Sequence, residues 1–503
     1  MAVKGGAAQP ISEQTSGAVK AGPAIPVYGY TGTPSDRPAG AGPARPVKLL
    51  TDADLRQNGG AFVVAGTPAE PMYDAPAGMA VASGPAQPIY LVGGALTGGG
   101  QTVTLPQNLI TNPGTIWDDF EADASWSLIS AVGSHATDTT NFKTGTASEQ
   151  ITTGTPGTTK IRETVAWNLS AVGRVGMWAY FPDAIALWGT GAGTGLCVYF
   201  QTSTGAVDYY RIIWRGDFLE PGWNWLNWPM AVAALIPTGS PNIASIIRMM
   251  FETLQPNPNI VQVSLDTMTF GIQGVPAVLL RFDDGSASQY NTAYQYMKNY
   301  KMRGTLAAQT NAIGTGGYCT WAQLREMDSA GWSIANHTNA STNLTTLTEA
   351  QQETQISGGK TALVANGLSR CADYLVFPGG NWDVNTVTAM TNLGVLAAQT
   401  TYTHTNWPLI LPKQNLRKVQ STTSNGVSLA TLKGYVDTAI AQKTILPLHF
   451  HDIGAGGGEL SAADFQSLID YIAAYARLGQ IYSLTIDDLY KLQSGSIQIP
   501  RPI

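Results

Sequence analysis

Chemistry in this chain concentrates where two adjacent carboxylates close an apolar run, Val278-Leu279-Leu280-Arg281-Phe282-Asp283-Asp284-Gly285. Further on, Asn336-His337-Thr338 and Leu448-His449-Phe450-His451-Asp452 each follow or form a similar apolar segment. Only five histidines occur in 503 residues. Three of them at two such places, downstream of a carboxylate pair, are not a random scatter. Aspartate and histidine are donors to divalent metals and partners in proton transfer. Spreading them over successive strand ends is how a parallel barrel assembles a site.

The elements that must position these residues begin near Gly274. Strand-like segments at 278–282, 303–310, 331–336, 374–377, 395–398, 445–450 and 481–483 alternate with helical spacing at 287–300, 320–330, 348–365, 383–393, 429–441 and 461–478. That alternation predicts a barrel-like α/β domain over 274–503, with a helix at 348–365 despite Gly358-Gly359. Residues 115–273 predict a β-sandwich, from short Val-, Ile-, Trp- and Tyr-rich runs at 174–181, 195–201, 209–214, 243–251 and 260–270. Phe120-Glu121 and the stretch 263–266 have the look of paired terminal strands of a jelly roll. Trp223, Trp225 and Trp228 follow Pro221-Gly222 in a turn-rich stretch. They form either an exposed platform for sugar rings or plugs for the sandwich edge.

Residues 1–114 are a different material. The phrase Gly22-Pro23-Ala24-Ile25-Pro26-Val27-Tyr28 recurs imperfectly, as at Gly84-Pro85-Ala86-Gln87-Pro88-Ile89-Tyr90. The spacing is too irregular for a self-supporting solenoid. Proline favours extended backbone, so each unit is a brief strand that buries little by itself. The segment is a linker or an extended arm laid along a partner, and the recurrence favours the arm.

Composition narrows the functional classes. With 28 basic and 34 acidic side chains, net charge −6, there is no footprint for non-specific nucleic-acid binding. Charged residues make up only 12 %, a composition suited to neutral sugars. Cys197, Cys319 and Cys371 lie far apart and offer no disulfide framework, so assembly in a reducing compartment is expected. The N-terminus lacks a signal-peptide core, and no long apolar run predicts a membrane span. Action outside the cell would therefore need a route other than secretion.

The stretch 274–491 resembles the polysaccharide deacetylase family, the NodB-homology domain of carbohydrate esterase family 4. The family's Thr-Phe-Asp-Asp-Gly motif stands here as Arg281-Phe282-Asp283-Asp284-Gly285. The resemblance implies that Asp283 is the general base and Asp284 a metal ligand. His337-Thr338-Asn339-Ala340-Ser341 matches His-Ser/Thr-x-x-His, with His337 on the first ligand and Ser341 in place of the second. A hydroxyl is a poorer ligand than imidazole. Water, Asn339 or Asn343 would have to fill the place, or the site is inactive. In Val376-Phe377-Pro378-Gly379-Gly380 the arginine expected to orient the base has become Val376, and Arg281 is the candidate substitute. The family's oxyanion donor maps nearest to Gly379, with Trp382 lining the groove and Trp407 standing for a tryptophan motif. The strand ending in His449-Phe450-His451-Asp452 assigns His451 as general acid. His449, on the same strand face, orients His451, sits in the core or replaces the lost ligand. The second-shell or core place is favoured for it. Asp452 and Asp488 are expected to be structural.

If active, such a domain hydrolyses an N-acetyl or O-acetyl group on a glycan with a divalent metal, zinc being the family's usual choice. The whole chain resembles a bacteriophage virion fibre or tailspike. That resemblance implies an N-terminal arm on other virion proteins, a homotrimer, a host surface polysaccharide as partner, and synthesis in the host cytoplasm. The alternative is a catalytically degenerate fibre that only binds glycan.

Overall fold

The computed structural model describes residues 114–492 except the short segments 122–124, 155–157, 184–194, 206, 231–234, 255–260, 403–408, 412–415 and 455–458. Outside that span it describes the strands 17–20, 26–30, 45–48, 72–75, 89–92, 102–105, 110–112 and 497–500. Two compact units result: 1–101 with 474–480, and 102–473 with 481–503. In the first, Gly17–Lys20, Pro26–Tyr30 and Arg45–Lys48 form a three-stranded sheet, and Met72–Ala75 pairs with Ile89–Val92. The Pro-Val-Tyr units are thus strands. In the second, Thr102–Leu105 pairs antiparallel with Ile497–Pro500, so this piece of the expected arm belongs with the C-terminal strand.

Two six-stranded antiparallel sheets cover residues 115–270. One runs Ser134–Asp138, Ser148–Thr152, Gln262–Phe270, Arg174–Phe181, Gly222–Pro229, with Thr115–Asp118 also on Gln262–Phe270. The other runs Ile236–Thr238, Tyr209–Arg215, Gly195–Gln201, Ile246–Leu254, Thr159–Trp167, Ser127–Leu128. Side chains from both, including Met177, Leu226, Val263, Val198, Trp214 and Phe251, share one core. Of the two readings left open for the tryptophans, the exposed platform does not hold for Trp225 and Trp228. Trp225 and Trp228 are buried on the strand Gly222–Pro229, Trp228 in this core and Trp225 against Ile272 and Ile410. With both faces covered, the strand shows no alternation in sequence. Phe120 is likewise no strand residue. It is a fully buried core side chain held at φ 56°.

The catalytic-type residues stand on a parallel sheet. Its strands are β1 (Ala277–Phe282), β2 (Thr305–Ala308), β3 (Ser333–Asn336), β4 (Tyr374–Val376), β5 (Ala397–Gln399), β6 (Thr422–Thr423), β7 (Ile445–Phe450) and β8 (Tyr482–Leu484). The order is β5-β4-β3-β2-β1-β7-β6, with β8 on the first half of β1. Leu416 and Val419, just before β6, bond to Ala398 and Thr400 after β5, which closes the sheet on itself. Successive strand residues point to opposite sides. Ala277 and Leu279 of β1, Ile445 of β7 and Leu484 of β8 fill one apolar core, with Ala307, Ala335 and Val376. Arg281 and Asp283 continue the Ala277–Leu279 face upward, and His449 and His451 continue that of Ile445.

The helices start where their sequences say. Thr320, Thr348 and Asp383 each complete a capping box before Trp321–Ser329, Glu349–Ala365 and Val384–Asn392. All three cysteines are buried and free. Among the described residues no helix is long and apolar enough to cross a membrane.

Candidate active site

Arg281 is wholly buried and would be untenable alone. Its Nε donates to Asp283 Oδ1 at 2.7 Å and its Nη2 to Asp283 Oδ2 at 2.8 Å, while Nη1 donates to the Thr400 carbonyl at 3.0 Å. Two parallel bonds fix both the position and the plane of the carboxylate. Burial works against ionisation of Asp283, but the Arg281 charge, helped by His337 and His449, holds its carboxyl at about 2. Asp283 is therefore ionised throughout the physiological range. Val376, where the resemblance expects an arginine, is fully buried in the barrel interior.

Immediately after β1 the chain turns sharply. Asp284 has φ 76° and Gly285 φ 85°, and a Cβ on Gly285 would meet Ile313 Cδ1 at 2.7 Å. Asp284 has no such exemption from the left-handed penalty, and strain of this kind collects at functional sites. The turn leaves its carboxylate partly open to solvent, with Oδ1 3.4 Å from His337 Nε2. His337 follows β3. Its Nδ1 lies 2.9 Å from the Val376 carbonyl and can only donate to it, which fixes the tautomer and points Nε2 at Asp284. Burial opposes the charged imidazole, but Asp284, Asp283 and the Val376 carbonyl outweigh it and raise its pKa.

Asp284 and His337 are thus two donors on one side of the site, the imidazole braced by a carbonyl as metal-bound histidines usually are. Among the described residues no group of three His, Cys, Asp or Glu side chains is placed to hold one metal ion. Ser341, at φ 42° in the same loop, brings no imidazole. His449 has one ring nitrogen engaged. Its Nδ1 lies 2.8 Å from Ser421 Oγ, whose hydroxyl donates to Thr400 O at 2.6 Å, so the histidine is the donor in that pair. The residues fit a divalent cation with two protein donors, held more weakly than by three.

His449 is buried opposite Arg281 in the β1–β7 register. Burial, then the Arg281 charge, depress its pKa to about 3. His451 lies one turn of the pleat further on, its ring centroid 5.8 Å from that of His449. Its Nδ1 is buried with no partner. Gln289 reaches back from the helical segment after Asp284 and donates to the carbonyls of both Asp283 and His451. It belongs to the π-helical turn Gln289–Tyr294, a form that recurs at functional sites. Asp452 accepts from Ser288 Oγ, and Asp488 pairs with Arg303 at 2.9 Å far from these groups.

A cleft of about 530 Å³ opens on the site, lined by Asp284, Ser286, Gly317, Tyr318, Asn425, His451, Asp452 and Glu459. Gly379 and Trp382 are not among these. Gly379 sits at φ 63° in the turn Pro378–Gly380. Trp382 packs among aromatic side chains. It meets Phe218 at 4.9 Å, Tyr402 at 5.4 Å and Phe377 at 5.7 Å between centroids. Trp407 lies outside the described residues. Sequence reasoning missed Gln289, Ser421, Thr400 and the cleft residues Tyr318, Asn425 and Glu459. Only Gln289, polar in a buried helical position just after Asp-Asp-Gly, carried a signal.

Part of the chain is similar to known proteins. Residues 271–398 match the sequence model of the family described as polysaccharide deacetylase. YxkH of Bacillus subtilis (strain 168), described only provisionally as a polysaccharide deacetylase, is 32 % identical over 124 residues. That is 25 % of this chain and 44 % of the relative, so the chain spans less than half of that protein. Among solved structures, a family 4 carbohydrate esterase from Streptomyces lividans in complex with acetate shares 18 % identity at TM-score 0.32, covering 45 % of this chain and 98 % of that one. The peptidoglycan deacetylase PdaC from Bacillus subtilis shares 16 % at TM-score 0.30, covering 44 % and 92 %. Within the C-terminal domain, residues 271–398 are thus similar to polysaccharide deacetylases.

Proposed function

We propose that the C-terminal domain removes acetyl groups from a glycan by metal-assisted hydrolysis. The observation that carries this is the meeting of an Arg-clamped carboxylate, an Asp–His donor pair and a second-strand histidine at one cleft. Asp284 and His337 would hold a divalent cation, which when bound supplies polarisation of the acetyl carbonyl. Asp283 accepts the proton of the attacking water. Arg281 keeps that carboxylate ionised and aligned, at a cost in basicity. His451, which lines the cleft, donates a proton to the departing amine or alkoxide. Acetate release from acetylated glycans should require added divalent metal, cease with chelator and vanish in Asp283→Asn.

A second reading is favoured by the missing third donor at Ser341: a degenerate scaffold that binds glycan without turnover. It predicts glycan retention with no acetate released at any metal concentration. For the whole chain we propose a virion fibre whose N-terminal segment contacts other virion proteins and whose C-terminal part meets a host polysaccharide, as a homotrimer. The recurring Pro-Val-Tyr units support that reading. Sedimentation of the full chain and immunolabelling of particles test it, a monomer absent from virions being the adverse result.

A further inference from the structure

We infer that the cleft selects glycans by charge, accepting neutral or amine-bearing sugars and rejecting acidic ones. This rests on the cleft being the glycan site. Three of its eight lining residues are carboxylates, Asp284, Asp452 and Glu459, and none is lysine or arginine. Asp284 faces His337 and would be taken up by the cation proposed above. The other two stand apart from those donors and keep their charge for the ligand.

Among the described residues neither outer carboxylate pairs with a lysine or arginine. Asp452 takes its hydrogen bond from the Ser288 hydroxyl. Glu459 Oε1 takes one from Asn425 Nδ2 at 3.0 Å. Glu459 Oε2 and Asn425 Oδ1 are buried and find no donor among the described residues. A neutral amide leaves the Glu459 charge uncompensated, where the surrounding protein screens poorly. Arg281, the buried guanidinium of the site, is already paired with Asp283. Such a cleft focuses negative potential on whatever enters it. A uronate or phosphate unit beside the reacting sugar meets repulsion. A sugar bearing a free amine, which deacetylation itself generates, meets attraction. Tyr318 supplies a ring and Ser286 a hydroxyl for uncharged sugar faces.

The test is equilibrium binding of the full chain to three size-matched oligosaccharides: fully N-acetylated chitooligosaccharide, its partly de-N-acetylated form, and a chain alternating N-acetylglucosamine with glucuronate. Affinity should rank amine-bearing, neutral, acidic, with about tenfold between the extremes at low salt, shrinking as salt is raised. Glu459→Gln, which keeps shape and the Asn425 contact, should compress the range by about threefold or more. Equal or tighter binding of the glucuronate chain, a ranking unchanged in Glu459→Gln, or no binding of any of the three overturns the inference. Acetate release from the neutral chain is measured separately. Charge ranking without acetate removes only the deacetylase reading, and acetate without charge ranking removes only this one.

Discussion

At the residue scale, the arrangement around Asp283 turns on two basic groups treated in opposite ways: Arg281 is kept charged and His449 is kept neutral. Arg281→Lys retains a cation but cannot make two parallel bonds to Asp283 and a third to Thr400. The variant should fold, with acetate release down about tenfold or more and substrate affinity little changed, as kcat and KM would show. His449, held near 3 against an ordinary 6.5, has a depressed folded-state pKa. Its neutral burial therefore stabilises fully above pH 6.5, and that contribution is lost as pH falls toward 3. The slope approaches one proton, about 1.4 kcal/mol per pH unit. Denaturant unfolding from pH 7 to 4.5 should show that slope in the wild type minus His449→Asn, which keeps a donor for Ser421. Equal slopes in both proteins would contradict the assignment. Asp283, Asp284, His337, His449 and His451 were legible because charged residues interrupting apolar strands are conspicuous. Ser421 and Gln289 were not, since a serine and a glutamine acquire meaning only from the carbonyls they reach.

At the element scale, the loop carrying His337 is braced by a helix that sequence propensity argues against. Glycine in mid-helix costs about 1 kcal/mol relative to alanine, and Glu349–Ala365 contains two in succession. Their roles differ. A Cβ on Gly359 would lie 2.1 Å from Asn336 Oδ1 and 3.0 Å from the Thr338 carbonyl carbon. That same Oδ1 accepts from Thr338 N at 2.8 Å, and Asn336 Nδ2 donates to Ile356 O at 2.8 Å, so Asn336 ties the helix to the turn after His337. A Cβ on Gly358 would meet Asn339 at an ordinary 3.5 Å. Gly358→Ala should leave stability unchanged or raise it by about 0.5–1 kcal/mol. Gly359→Ala should lower the melting temperature and weaken divalent-metal binding, both measurable by calorimetry. The helix and strand pattern of the barrel was legible because its strands are short apolar runs, buried on both faces as in Ala277–Phe282 and Ile445–Phe450, set between segments of helical spacing. The two-residue β6 and the pairing of Thr102–Leu105 with the C-terminal strand were not, because short or distant pairings leave no local period.

At the scale of the molecule, the sheets of 115–270 and the barrel are joined by buried polar contacts, which separate modules on a flexible linker would not have. Lys418 Nζ lies 2.9 Å from Glu220 Oε1, with both side chains buried. Arg174, also buried, donates to Asn227 in its own sheet and to Gln442 of the helix Leu429–Gln442 at 3.2 Å. Phe218 packs edge-on to Trp382, beside Phe377 and the turn Pro378–Gly380. None of this was visible in the sequence, where Glu220, Lys418 and Trp382 lie up to 198 residues apart. Removing one member of a buried ion pair strands the other charge and costs about 3–5 kcal/mol, whereas replacing both by apolar groups can be nearly neutral. Glu220→Leu alone should therefore lower the unfolding midpoint of the whole 102–503 region in a single transition. Adding Lys418→Met should restore most of the loss, and a double-mutant cycle by chemical denaturation measures the coupling. If the two parts folded independently, Glu220→Leu would shift one transition and leave the barrel's midpoint in place, and the junction would then be a contact between modules.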